Sequence, residues 1–185
     1  IFPDFDADPY DPASYDFQIT DDYMRHIDMC GTKVFYRLGN KIEHWSKNYG
    51  VLPPKDPKKW AVICEHIIAH YNEGWANGYH MGIEYWEIWN EPDLYPKCWK
   101  GTPEEFYELY RVASRHLKDR FPDVKIGGPA ICGYNEKWLR PFFAMIRDEK
   151  LPFDFYSWHC YARNVGDITA NERRHRALLD EYGFT

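Results

Sequence analysis

An amide and a carboxyl stand side by side at Asn90 and Glu91, immediately before Pro92 and at the end of the run Tyr85-Trp86-Glu87-Ile88-Trp89. That run has the aromatic and β-branched composition of a strand, and Pro92 ends it because proline cannot donate to a sheet ladder. Both polar side chains therefore belong at the C-terminal end of a strand. A carboxyl there is costly to bury unless something partners it. Rimmed by Trp and Tyr, whose rings offer flat apolar faces and a polar handle, it suits a general acid facing a sugar. Glu87 shares strand parity with Trp89 and Glu91. It is expected below the site as an ion-pair partner, with Trp89 lining the cleft.

Two further strands end in residues that suit the same cleft. The segment Asp154–Tyr161 closes on His159 and Tyr161, whose spacing puts them on one face. On Lys33–Leu38, Arg37 is placed to orient a carboxylate, and the following loop brings Glu43, His44 and Trp45. A His beside a Trp after a strand suits a sugar contact, here His44. The acidic stretch Phe5-Asp6-Ala7-Asp8 fits no EF-hand spacing. His66 and His70 lie four apart on one helix face, but Glu65 precedes the pair and the His-Glu-x-x-His order is not met. No metal site and no cofactor are expected.

These side chains need elements to hold them. The chain alternates short apolar runs with amphipathic ones. Ile1–Phe5 reads as a first short segment and Thr20 to Gly31 as a helix. Lys33–Leu38 is a strand, and Asp56-Pro57 opens a helix whose apolar stripe runs Trp60, Ile63, Cys64, Ile67, Ile68, Tyr71 to a stop at Gly74. The strand carrying Glu91 follows, then a helix opened by Thr102-Pro103-Glu104-Glu105, a strand at Val124–Gly127, and a helix over Asn135–Lys150 with Pro141 inside. Asp154–Tyr161 is the last strand and Asn171–Tyr182 the last helix. Five strand–helix units in this order predict parallel βαβ packing, in which ligands meet the C-terminal strand ends.

The string Glu87-Ile88-Trp89-Asn90-Glu91-Pro92 resembles the Asn-Glu-Pro signature of the retaining glycosidases built on (β/α)8 barrels, and most closely glycoside hydrolase family 39, the β-xylosidase and α-L-iduronidase family. Asp154–Tyr161 is similar to that family's sixth strand. The resemblance implies an α/β fold, a (β/α)8 TIM barrel present in part, from about strand 2 to helix 6. Residues 1–185 would form a single partial catalytic barrel domain without the first unit and units seven and eight. A barrel of eight units takes about 250 residues, against the 185 here. The resemblance makes Glu91 the acid/base of a double displacement and Asn90 a partner of the sugar 2-hydroxyl. It gives His159 and Tyr161 to the substrate and places the nucleophile Glu beyond Thr185. Glu172 and Glu181 lie on an amphipathic helix and do not substitute for it. A xyloside is the expected substrate. A non-catalytic carbohydrate-binding barrel and an endo-acting, cellulase-type glycosidase remain alternatives.

Composition narrows the partners. A formal charge of −6 with scattered basic residues argues against nucleic acid, and no apolar run approaches the roughly 20 residues of a membrane helix. The five cysteines, Cys30, Cys64, Cys98, Cys132 and Cys160, are odd in number and form no CxxC, which favours small buried hydrophobes and, mildly, a reducing cytoplasmic compartment.

Overall fold

The computed structural model describes residues 1–39 and 50–184. Four strands form one parallel sheet in chain order: β1 (Phe35–Leu38), β2 (Tyr85–Ile88), β3 (Lys125–Ile131) and β4 (Phe155–Trp158). Among the described residues five α-helices accompany them: α1 (Gln18–Met29), α2 (Pro57–Glu73), α3 (Pro103–Arg120), α4 (Glu136–Glu149) and α5 (Val165–Glu181). Each pair of neighbouring strands is joined through a helix, as parallel pairing requires. His44 and its neighbours Glu43 and Trp45 lie outside the described residues.

Local signals fix most helix ends. Asp56 accepts from the backbone N–H groups of Lys58 and Lys59, Pro57 takes the first position of α2, and Gly74 closes that helix in the left-handed region at φ 79°. Thr102 and Glu105 form a reciprocal capping box at the start of α3. The Asn135 side chain accepts from Trp138 N–H to begin α4, which runs on across Pro141. Two expectations are corrected. Ile1–Phe5 is not a strand: Pro3 lacks a donor, Asp4 turns the chain by accepting from Asp6 N–H, and Ile1 is held instead through Asp16 N–H. The last helix begins at Val165, six residues ahead of Asn171, because Val165–Ala170 continues helically despite its Gly and β-branched content.

The two faces of the sheet differ. Leu38, Trp86, Ile88 and Ile126 are fully buried against the helices. The row on the other face is Arg37 opposite Glu87 opposite Gly127 opposite Phe155. At its lower end Phe35, Tyr85 and Phe155 form a cluster with ring centroids 5.0–5.7 Å apart. Gly127 is the space this cluster needs, since a Cβ there would lie 2.3 Å from the Phe155 carbonyl oxygen and 2.7 Å from its ring. Gly127→Ala is expected to destabilise the fold by about 2–3 kcal/mol through overpacking against backbone that cannot yield. Urea unfolding checks this, and an unchanged midpoint would refute it.

Candidate active site

The C-terminal edge of the sheet is assembled by backbone bonds that run past the strand ends. Trp89 N–H donates to the Leu38 carbonyl at 2.8 Å, Glu91 N–H to Ala130 at 3.0 Å, and His159 N–H to Ile131 at 2.8 Å. Strand β3 thus suspends Glu91 on one side and His159 on the other while supplying small residues itself. Its Gly127-Gly128-Pro129-Ala130 stretch keeps bulk out of the space between them, and Ser157 Oγ accepts from Ala130 N–H at 2.9 Å. The sequence reads this strand as Val124–Gly127, ending at the Gly-Gly-Pro run, whereas it continues to Ile131.

Above that scaffold the side chains form a connected chain. Glu87 is buried and accepts from Arg37 Nε at 2.6 Å. Arg37 Nη2 lies 3.4 Å from His159 Nε2, and His159 Nδ1 lies 2.6 Å from Glu91 Oε1. Because a guanidinium only donates, the Nε2 facing it is the acceptor, and the imidazole proton sits on Nδ1. In this tautomer His159 donates to Glu91. On its other oxygen, Oε2, Glu91 accepts from the Cys98 thiol at 3.5 Å. Glu87, expected as an ion-pair partner, is paired with Arg37.

Asn90 is buried, and its amide nitrogen points at Cys98 Sγ at 3.7 Å. Its Oδ1 has no hydrogen-bond partner among the described residues. Buried amide oxygens seldom stay unpaired. Asp93, two residues beyond Glu91, accepts from Cys132 N–H at 2.8 Å and so ties the loop after β2 to the end of β3. Burial pushes the Asp93 carboxyl above its ordinary range, against the pull of that backbone bond, and the Glu91 charge adds to the rise. The sequence places Asp93 in the loop and carries no sign of this tie.

Two expected contacts are corrected. Trp89 does not line the cleft: its backbone turns left-handed at φ 71°, its ring is 3% exposed and packs edge-on to Trp99 at 5.1 Å, and its Nε1–H donates to the Cys98 carbonyl. Strand alternation ends at Ile88, so parity counted through Trp89 fails. Tyr161 stands three residues past β4 and is 94% exposed, outside the hydrogen-bonded group around Glu91. The alternation that was to pair it with His159 stops at Trp158. The two helical histidines serve packing: His66 Nδ1 bonds the Val62 carbonyl, and His70 bonds Trp75 O and Asp21.

The model of glycosyl hydrolases family 39 matches residues 9–180. The chain is 36% identical over 126 residues to a beta-xylosidase of Geobacillus stearothermophilus, covering 65% of this chain and 23% of that protein. A solved glucosidase from Croceicoccus marinus superposes with a TM-score of 0.88 at 31% identity, over 100% of this chain and 38% of that one. A monomeric beta-xylosidase from Caulobacter crescentus CB15 shares the fold, with a TM-score of 0.76 at 22% identity over 92% of this chain and 39% of that one. The chain thus spans about a quarter of that curated relative's length. Its parallel sheet and flanking helices correspond to part of a (β/α)8 barrel. With 172 consecutive residues inside the matched span, from 9 to 180, the chain belongs to glycosyl hydrolases family 39.

Proposed function

We propose that the protein containing this chain hydrolyses glycosidic bonds with retention of configuration, with a β-xyloside as substrate and Glu91 as acid/base. The observation that carries the reading is a carboxyl at the C-terminal edge of a parallel sheet, held on one oxygen by His159 and flanked by the Asn90 amide oxygen, which has no partner among the described residues. In the first half-reaction Glu91, protonated on Oε2, gives its proton to the glycosidic oxygen as the bond to the sugar breaks. In the second it takes a proton from water and is restored. Asn90 Oδ1 accepts from the sugar 2-hydroxyl, a bond that tightens as the ring approaches the oxocarbenium-like transition state.

Double displacement needs a second carboxylate about 5–5.5 Å from the first. Asp93 is committed to the Cys132 amide, so in this proposal the nucleophile is a Glu of the barrel's seventh strand, beyond Thr185. The names of the relatives support the xyloside. The test is proton NMR of the intact protein acting on an aryl β-xyloside. The first sugar released is expected as the β-anomer, relaxing later to the mixture. Initial release of the α-anomer would reject double displacement.

A further inference from the structure

One loop residue, Cys98, touches every member of the Trp89-Asn90-Glu91 corner. The Cys98 carbonyl accepts from Trp89 Nε1–H at 2.9 Å, its sulfur receives the Asn90 amide at 3.7 Å, and its thiol donates to Glu91 Oε2 at 3.5 Å. The residue is itself anchored, since Cys98 N–H donates to the Leu94 carbonyl at 3.0 Å. The corner needs holding, because Trp89 and Glu91 both occupy the left-handed region, at φ 71° and 50°. A side chain attached there has no backbone preference keeping it in place.

We propose that Cys98 is a positioning residue for the acid/base, its sulfur bridging the Asn90 amide and the Glu91 carboxyl so that the two act on one sugar at a fixed spacing. This rests on Glu91 being the acid/base. A thiol suits the position because it is both a weak donor and a weak acceptor. While Glu91 is ionised, the S–H donates to Oε2. When Oε2 carries the proton, a rotation about Cβ–Sγ leaves a sulfur lone pair facing the acid. A stronger, fixed donor at this place would favour the carboxylate throughout and hinder the acid step.

Other charged or titratable groups face the thiol: the Cys132 thiol lies close by, and burial with the Glu91 charge raises both thiols to about 11. The cysteine is therefore a neutral S–H at working pH, as the proposal needs. This also separates it from a nucleophilic cysteine, which requires a lowered value.

The test uses the intact protein with Cys98→Ser, Cys98→Ala and Cys98→Val. Loss of the bridge is expected to lower kcat/KM on alkyl glycosides about tenfold in the Ala and Val variants, the worth of one net hydrogen bond, with Ser within about twofold of the parent. A packing role predicts the opposite order, with Val best and Ser worst, and that order would overturn the proposal. Site-resolved alkylation of Cys98 against pH reads the contact without any turnover. In Glu91→Gln the half-labelling pH is expected to fall, because the neighbouring charge is gone, and an unmoved profile would overturn the proposal. A moved profile in a protein that cleaves no glycoside would instead reject the acid/base reading, and the positioning role with it, while leaving the contact established.

Discussion

Glu91→Gln in the intact protein is expected to lower kcat/KM for alkyl xylosides by about 10²–10⁴-fold, the usual reach of general acid catalysis, while xylosides of strongly acidic phenols keep kcat/KM near the parent value. The split follows from where the proton is needed. An alkoxide cannot leave unprotonated, whereas a nitrophenolate can, so only the first class feels the loss of the acid in the bond-breaking step. The second half-reaction needs a base for every substrate. With activated phenols kcat should therefore fall and KM fall with it, as the glycosyl-enzyme accumulates. Azide, a nucleophile that needs no base, should restore turnover and yield a glycosyl azide. The substituted side chain would still accept from His159 through its amide oxygen, so the fold should persist. Equal losses of kcat/KM on both substrate classes would remove Glu91 from the acid role.

Arg37→Met is expected to cost about 3 kcal/mol of stability, the lower end for breaking a buried ion pair from one side. The reasoning starts with Glu87, which is 3% exposed and has Arg37 as its ion-pair partner at 2.6 Å. Without the guanidinium a buried carboxylate stays behind, and desolvation is no longer offset. Arg37 keeps some contact with water, which holds the cost at the lower end. The matched pair Arg37→Met with Glu87→Leu should recover most of the loss, since removing both charges leaves no unpaired one. Urea unfolding of the two single variants and the double variant decides it. Additive losses would mean the pair is not the unit argued here. The single variant also frees His159 to change tautomer, because nothing then requires Nε2 to accept. Arg37→Lys should not fully replace it, as one ammonium cannot reproduce the fork that meets Glu87 and His159 together.

The parts of this fold that the sequence displayed were those written in local chemistry. Pro57 and Gly74 bracket α2, Thr102-Pro103 opens α3, and Asn135 opens α4, each by a mechanism confined to a few residues. Glu87, Asn90 and Glu91 were recognisable because a polar trio in an apolar strand requires an explanation. What stayed hidden depended on partners far along the chain. Ile1–Phe5 has strand-like residues but finds no neighbouring strand to pair with. Trp89 reads as cleft-facing while alternation is counted through it, and only its left-handed backbone turns the ring toward Trp99. Tyr161 was lost in the same way, by extending the period of two past the end of β4. Cys98 was the most obscure, since a single cysteine in a loop gives no hint that it touches three residues placed seven to nine positions earlier.

The left-handed turns at Trp89 and Glu91 have a consequence for how the candidate site opens on warming. Each costs roughly 1–2 kcal/mol against ordinary backbone, so the corner holding the acid stores energy that its neighbours must contain. Opening that corner releases the energy stored at both residues. The corner should therefore open as a small cooperative unit below the temperature at which the sheet itself melts. Inactivation on warming would then be a local and reversible event. The protein would stand inert but folded over a range of temperature, and would regain its acid on cooling.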